Sequence, residues 1–104
     1  MSEFHNVTVK KAANVYFDGR VTSRTITFAD GTIKTLGIMM PGEYEFWTKK
    51  RELMEILCGK LSVQQPGSEE WEEIEAGQSF EVAADSKFGV KISAVTDYCC
   101  SYLD

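Results

Sequence analysis

Histidine is nearly missing from this sequence: its 104 residues include only one, His5, close to the N-terminus. Because imidazole is the commonest metal ligand among side chains, a metal centre built from several histidines is excluded. Long apolar runs are missing too, and none approaches the roughly 20 residues that span a bilayer, so we expect no membrane partner. The first 17 residues carry no apolar stretch like that of a signal peptide.

Cysteine is scarce as well, with three in the chain, two of which are the neighbours Cys99 and Cys100. Adjacent residues of a strand point to opposite faces, so these two thiols are poorly placed to form a disulfide. We expect Cys58 to be a small buried side chain, since no nearby histidine is available to activate it. Reduced thiols favour a cytoplasmic location.

Basic residues are outnumbered, since 11 lysines and arginines stand against 16 acidic residues and leave a net charge of -5. Without a basic stripe nothing offsets the repulsion of phosphate groups, so we expect no nucleic-acid partner. A small anion held at one local site remains compatible with this charge. The length suits one domain, which we place over residues 1–104.

Turn signals recur at short intervals and include Asp18-Gly19, Pro41-Gly42 and Ala76-Gly77. The segments between them alternate in polarity or are rich in β-branched residues, which predicts an all-β sandwich or barrel. One stretch, 48–57, has both helix and strand preferences, and the sequence leaves both open. Strands are predicted over residues 20–27, 32–40, 43–48, 53–64, 79–82, 87–94 and 98–103.

The predicted strand over 43–48 has one aromatic face. Alternation places Tyr44, Phe46 and Thr48 on one side of it and Glu45 and Trp47 on the other. A buried strand face would explain these aromatics equally well. A carboxylate that follows them and points inward would need polar partners, however.

The spacing of this stretch matches the first metal box of cupin barrels, G-x5-H-x-H-x3-E-x6-G, without its histidines. Phe46 and Thr48 stand at the two histidine positions, and Glu52 and Gly59 stand at the glutamate and the glycine. Neither a benzyl side chain nor a lone hydroxyl replaces an imidazole ligand. The chain therefore keeps the spacing of the cupin wall and lacks two of its metal ligands.

The second cupin box, G-x5-P-x-G-x2-H, gives the same result. Counted from Gly77, the proline, glycine and histidine positions hold Ala83, Asp85 and Phe88. The third ligand is thus a phenylalanine, and two separate boxes agree. We expect no bound metal and no cofactor.

Blocks of sequence along most of the chain, from NVYFDGRV at 14–21 to DYCCSYL at 97–103, together resemble the pyrimidine/purine nucleoside phosphorylases, a family of small cupins. The resemblance runs from about Asn14 to Leu103 and leaves residues 1–12 outside. It implies a single-domain cupin-type β-barrel, a jelly-roll-like double-stranded β-helix. The chain departs from the family at Arg20, often a lysine there, and at Ser101, where an arginine is common. The blocks are NVYFDGRV (14–21), LGIMMPGEYEFWT (36–48), MEILCGKLSV (54–63), WEEIEAGQSFEVAADSKFGVKI (71–92) and DYCCSYL (97–103).

The resemblance implies phosphorolysis of purine and pyrimidine nucleosides by inorganic phosphate, which yields free base and α-D-ribose 1-phosphate. Such a site needs donors for phosphate, a carboxylate near C1′ and aromatic rings for the base. Glu52 is the expected carboxylate, and Tyr44 would position phosphate or assist the leaving group. The expected phosphate donors are Arg20, Thr48 and Ser86, and the expected stacking residues are Phe46, Phe88 and Tyr98.

Other functions remain open from the residues alone. A cupin pocket could hold a nucleoside or sugar without turnover, or Tyr44 and Glu52 could serve a sugar-phosphate isomerase. A metal-dependent dioxygenase is disfavoured by the missing ligands. We also expect a homodimer that pairs through edge strands, supplied by the DYCCSYL tail or the N-terminal segment. The basic run Lys49–Arg51 could draw phosphate toward Glu52, and the acidic run around Trp71 is predicted to be a solvated hairpin.

Overall fold

Alternating segments bounded by turns form the β-strands of the fold. The structure is a computed structural model that describes residues 3–103, and within them it contains eleven strands and one 3₁₀ turn, Phe17–Gly19. The strands are β1 Thr8–Val9, β2 Asn14–Tyr16, β3 Val21–Thr27, β4 Ile33–Met39, β5 Gly42–Trp47, β6 Arg51–Cys58, β7 Lys60–Gln64, β8 Glu72–Glu75, β9 Ser79–Val82, β10 Lys87–Ile92 and β11 Thr96–Leu103.

Two antiparallel sheets face each other across the core. The larger one has the order β1-β3-β4-β11-β6-β9, with β2 also paired to β3, and the smaller one has the order β5-β10-β7-β8. The all-β, cupin-type fold is therefore confirmed. Among residues 3–103 no strand pairing joins one sheet to the other, so the wall is open where a closed barrel was expected.

The stretch left open between helix and strand is extended. β6 pairs with β11 on one side and with β9 on the other, and its Met54 and Ile56 are buried. Packing against two neighbours overrides the helical preference of its residues. The segment predicted as one strand over 53–64 is divided at Gly59, whose φ of 92° suits glycine in a tight turn.

The strands predicted by residue range do not include β1, β2 and β8. β8 is the clearest case, because of its four residues only Ile74 is buried and the other three are exposed glutamates. The hairpin predicted around the acidic run is confirmed, since β7 and β8 pair antiparallel and Lys60 lies 3.2 Å from Glu73. β8 therefore forms because it pairs with β7, and its own sequence has no apolar alternation that would predict a strand.

β11, which contains the DYCCSYL tail, lies in the middle of the larger sheet between β4 and β6. It has no free edge, so the expectation that this tail pairs with a second copy is corrected. β1 lies at an edge of that sheet, which leaves the N-terminal segment for such a role. Among the described residues, no helix is long and apolar enough to cross a membrane.

All three cysteines are unpaired, and Cys99 and Cys100 are buried. Cys58, expected in the core, is exposed at the end of β6. The pairing of β6 with β11 shifts register beside it, between Asp97 and Tyr98, and this bulge carries the strand end away from the core.

Gly37 on β4 makes room for the Tyr98 ring. A Cβ at this position would meet the Thr22 carbonyl oxygen and would lie 2.7 Å from the Tyr98 hydroxyl. Gly89 on β10 is a matched strand glycine, whose added Cβ would meet only side-chain atoms, Trp71 at 3.3 Å and Gln64 at 3.8 Å. Comparing alanine variants at these two glycines therefore distinguishes a backbone clash from the general effect of adding a methyl group.

We expect Gly37→Ala to lower the free energy of unfolding by about 1–3 kcal/mol, because the clash involves backbone that has no room to move. Gly89→Ala should cost less, since a side chain at the sheet surface can shift. Urea unfolding of both variants measures the difference. Equal losses would contradict the tight approach at Gly37.

Candidate active site

A cavity of about 560 Å³ opens at one end of the space between the sheets. This volume lies within the range of small-molecule sites. Strands of both sheets contribute to its walls, and the loop between β5 and β6 borders it. The lining residues are Tyr16, Ser23, Ile33, Thr35, Met39, Phe46, Trp47, Lys49, Lys50, Glu52, Met54, Phe88, Tyr98, Cys100 and Tyr102.

The wall formed by the larger sheet is polar. On β11 every second residue faces the cavity, which presents Tyr98, Cys100 and Tyr102 in a row. Thr35 lies opposite Cys100 on β4, and Glu52 lies opposite Tyr102 on β6. Strand register thus gathers hydroxyl, thiol and carboxylate groups on one surface.

Ser23 continues this polar wall on β3 and is held from behind. The Asn14 side-chain amide donates hydrogen bonds to the Ser23 hydroxyl at 3.1 Å and to the Thr25 hydroxyl at 3.2 Å. Because the Ser23 oxygen accepts from Asn14, its own hydrogen is left for another acceptor, and Tyr98 is close by. Asn14 therefore orients one hydroxyl of the cavity.

Glu52 supplies the carboxylate of the cavity. Burial raises its pKa above the ordinary value of 4.5, and hydrogen bonding from Cys100 partly offsets the increase. Burial likewise raises the pKa of Tyr102 to about 12, so that its hydroxyl remains a hydrogen-bond donor through the neutral range. Tyr102 therefore stays neutral at a pH where Glu52 is ionised.

The opposite wall is aromatic. Phe46 on β5 and Phe88 on β10 are cross-strand partners whose ring centroids lie 5.6 Å apart at an interplanar angle of 30°. These are two of the positions at which the cupin boxes place metal ligands. Phe17 and Tyr44 extend the row behind Phe46, with centroids 4.9 Å apart. The wall offers apolar, polarisable ring surface to a flat ligand.

Four of the eight residues predicted for the site line the cavity: Phe46, Glu52, Phe88 and Tyr98. Two basic residues of the Lys49–Arg51 run, Lys49 and Lys50, line it as well. Both lie in the short loop between β5 and β6 and are exposed. This places positive charge near Glu52 in a chain that is acidic overall.

Thr48 and Ser86, predicted as phosphate donors, do not line the cavity. The Thr48 hydroxyl donates to the Ala83 carbonyl at 2.7 Å and accepts from the Ser86 backbone N–H at 3.0 Å. The Ser86 hydroxyl donates to the Ala84 carbonyl at 2.9 Å. The Thr48 hydroxyl thus fastens the turn before β10 to the end of β5, and the Ser86 hydroxyl is engaged within that turn.

Tyr44 and Arg20 also lie outside the lining. The Tyr44 ring is buried and its hydroxyl donates to the Met40 carbonyl at 2.7 Å, so it serves the packing behind Phe46. Arg20 is exposed at the end of the 3₁₀ turn, where its backbone N–H bonds to Phe17 at 3.2 Å. The turn directs this guanidinium to solvent.

Several lining residues escaped the sequence pattern. Alternation along β11 places Cys100 and Tyr102 on the same strand face as Tyr98, so this pattern was sufficient to predict them. Tyr16, Ser23 and Thr35 come from β2, β3 and β4, and no local signal assigns these strands to the same cavity. Their assembly depends on the strand order of the sheet.

Ionisation of Glu52 should cost folding stability, since its pKa is raised in the folded state. The cost is absent where both states are protonated, below the ordinary pKa of 4.5, and grows as the pH rises above it. We therefore expect Glu52→Gln to be more stable than the unmodified protein at pH 7.5, with the advantage fading toward pH 5. Urea unfolding at both pH values tests this. Glu55→Gln, on the outer face of β6, controls for the change in net charge; an equal gain there would contradict the expectation.

Comparison with known proteins points to one family over the whole chain. A model of the family described as pyrimidine/purine nucleoside phosphorylase matches residues 11–102. A protein of that name from Hydrogenovibrio crunogenus is 59% identical over 104 residues, covering 100% of both chains. Another from Syntrophotalea carbinolica is 64% identical over 103 residues, covering 99% of each. The similarity therefore includes the N-terminal segment as well.

Solved structures agree with the fold. A protein of unknown function from Acinetobacter sp. ADP1 superposes with a TM-score of 0.95 at 43% identity and covers 97% of this chain and 98% of that one. An RmlC-like cupin from Shewanella frigidimarina superposes with a TM-score of 0.70 at 14% identity, covering 97% and 86%, and shows the fold alone. Sequence and structure together establish that this chain belongs to the pyrimidine/purine nucleoside phosphorylase family.

Proposed function

We propose that the protein is a nucleoside phosphorylase of broad specificity, a pentosyltransferase that acts on purine and pyrimidine nucleosides in the cavity between the sheets. Inorganic phosphate attacks C1′, the bond from C1′ to the base nitrogen breaks, and the products are free base and α-D-ribose 1-phosphate. One observation carries the proposal: a half-buried carboxylate, Glu52, shares a cavity with the neighbouring rings of Phe46 and Phe88 and with two lysines.

The phenylalanine pair would receive the base. Both rings line the cavity, Phe46 half-buried and Phe88 buried, and stacking on an aromatic surface holds any nucleobase. Discrimination between bases would require polar groups fitted to the base edge, and this wall has none. An apolar ring wall is consistent with broad specificity.

Glu52 would act on the sugar. In phosphorolysis C1′ gains positive charge as the base departs, and a nearby carboxylate stabilises that charge. This stabilisation grows as water is excluded, and the partial burial that raises the pKa of Glu52 would strengthen it. The same carboxylate has acceptor sites for the ribose diol.

Lys49 and Lys50 would hold the phosphate. They provide the cationic groups in the cavity lining, and their ammonium groups pair with phosphate as point charges. The hydroxyls of the polar wall add donors without adding charge. The role of supporting the cavity walls would then belong to Tyr44, Thr48 and Ser86. Arg20 would be an alternative phosphate-binding residue outside the cavity.

The reaction is tested with purified protein treated with EDTA and supplied with inosine or uridine, with and without phosphate. We expect free base and ribose 1-phosphate from both nucleosides only when phosphate is present, since the proposed residues require no metal. Base release without phosphate would identify a hydrolase. If the folded protein releases no base but is stabilised against heat by nucleosides, a binding module is favoured.

The phosphate site is tested by Lys49→Ala combined with Lys50→Ala, against Arg20→Ala. Loss of the charge-assisted hydrogen bonds should raise the KM for phosphate about tenfold or more in the lysine variant. Arg20→Ala should leave it nearly unchanged, because that side chain is outside the cavity. If initial-rate kinetics showed a raised KM for phosphate in Arg20→Ala and not in the lysine variant, the phosphate site would be at Arg20.

We further propose that the protein is a homodimer that works in nucleoside salvage in the cytoplasm, in keeping with its three unpaired thiols. Because β11 is enclosed within its sheet, the N-terminal edge formed by β1 is the part of the larger sheet proposed to pair. Sedimentation at micromolar concentration should give twice the 11.7 kDa mass of one chain. A mass of a single chain would contradict the dimer.

A further inference from the structure

The turn between β2 and β3 holds a phenylalanine in a strained backbone conformation. The φ angles of Phe17, Asp18 and Gly19 are 52°, 55° and 90°, so three consecutive residues lie in the left-handed region. Glycine adopts this region freely and aspartate tolerates it, whereas a bulky residue such as phenylalanine rarely enters it. Such strain persists only where surrounding contacts compensate for it, and it is concentrated at functional sites.

The turn is fixed by backbone hydrogen bonds. The Arg20 N–H donates to the Phe17 carbonyl at 3.2 Å, and the Met40 N–H donates to the Arg20 carbonyl at 2.8 Å. Tyr16, directly before Phe17, is paired with Val21 on β3. The backbone on both sides of Phe17 is therefore tied to the larger sheet, and this sets the position of its side chain.

Phe17 packs against two rings of β5. Its ring centroid lies 4.9 Å from that of Tyr44 and 5.6 Å from that of Phe46, and the planes of Phe17 and Phe46 are close to perpendicular at 87°. This edge-to-face arrangement is favourable for aromatic rings. The Phe46 centroid in turn lies 5.6 Å from that of Phe88. Phe46 therefore has ring contacts with Phe17 outside the cavity lining and with Phe88 within it.

These ring contacts connect the two sheets. The turn belongs to β2 and β3 of the larger sheet, and β5 is an outer strand of the smaller one. No strand pairing crosses between the sheets within residues 3–103, so the Phe17 ring provides a connection there that strand hydrogen bonds do not. Phe17 is 42% exposed, and its burial alone gives little reason for a strained backbone.

We propose that Phe17 is a positioning residue for nucleoside binding, which holds the Phe46 ring beside Phe88 in the orientation on which the base stacks. Phe46 is only half-buried, so contact with the core restrains its ring less than that of the buried Phe88. The strained turn places a further ring against it from outside the cavity. The contact with the base rests on the proposed function, whereas the contact between the rings does not.

Substitutions at position 17 separate the role of the ring from that of the backbone. Phe17→Ala removes the ring and keeps a Cβ at the strained φ, whereas Phe17→Gly removes the ring and the strain together. Phe17→Leu keeps most of the apolar volume without a ring edge, and Phe17→Tyr keeps the ring. If the two smaller residues prevent folding, Phe17→Leu against Phe17→Tyr makes the same comparison.

Phe4→Ala is the matched control. Phe4 is 38% exposed, and its ring lies 5.0 Å from that of Phe28 at an interplanar angle of 79°, outside the cavity lining. Calorimetric titration with uridine in the absence of phosphate gives the Kd of each variant. Initial rates give the KM for uridine and for phosphate separately, and urea unfolding gives stability.

The Kd and KM for uridine should rise about three- to tenfold in Phe17→Ala and by less in Phe17→Leu, because the base then stacks on a ring that is free to reorient. The KM for phosphate should stay nearly unchanged, since the lysines are untouched. Phe17→Tyr and Phe4→Ala should bind uridine like the unmodified protein. Phe17→Gly should bind uridine as weakly as Phe17→Ala but unfold at a higher urea concentration, since glycine relieves the strain.

Unchanged uridine affinity in Phe17→Ala and Phe17→Leu would overturn the proposal, and so would an equal loss in Phe4→Ala. Equal increases in the KM for uridine and for phosphate would also overturn it, because the turn would then support the cavity as a whole. A protein that binds uridine but does not cleave it with phosphate would refute the proposed function alone, and the titration would still decide the role of Phe17. No uridine binding by the folded, unmodified protein would overturn both.

Discussion

The structure depends on holding one half-buried carboxylate in the cavity between the two sheets. Glu52 lies on β6, whose neighbouring inward residues Met54 and Ile56 are core side chains, and its burial raises its pKa. A protein selected only for stability would place an apolar residue there. The groups that surround Glu52 are those that such a carboxylate needs: donors on the central strand and cations at the rim.

The central strand β11 connects the hydrophobic core with this site. Its inward row of Tyr98, Cys100 and Tyr102 passes from the core toward the cavity, and pairing on both sides leaves it little freedom. Gly37 admits the Tyr98 ring against β4. The opposite wall rests on Phe46 and Phe88, which occupy ligand positions of the cupin boxes. In this chain those positions hold rings in place of imidazoles, which is why the proposed function uses them to stack on the base.

Local pattern predicted most of the larger strands, the aromatic face of β5 and an inward-facing Glu52. These features depend on alternation and on box spacing, which a single sequence displays. Thr48 and Ser86 were assigned to phosphate because a hydroxyl at that spacing is chemically suitable, but backbone carbonyls 2.7 and 2.9 Å away already accept from them. The acceptor that a hydroxyl meets depends on the tertiary structure and is not visible in the local sequence. Tyr16 and Thr35 could not be predicted for the same reason, because strand order alone brings them to Glu52.

The most direct test of the cavity as the active site is a crystal structure of Glu52→Gln soaked with uridine and phosphate. The account predicts the uracil ring against Phe46 and Phe88, C1′ beside position 52, and phosphate in contact with Lys49 or Lys50. A nucleoside bound outside the cavity, or phosphate held at Arg20, would contradict it.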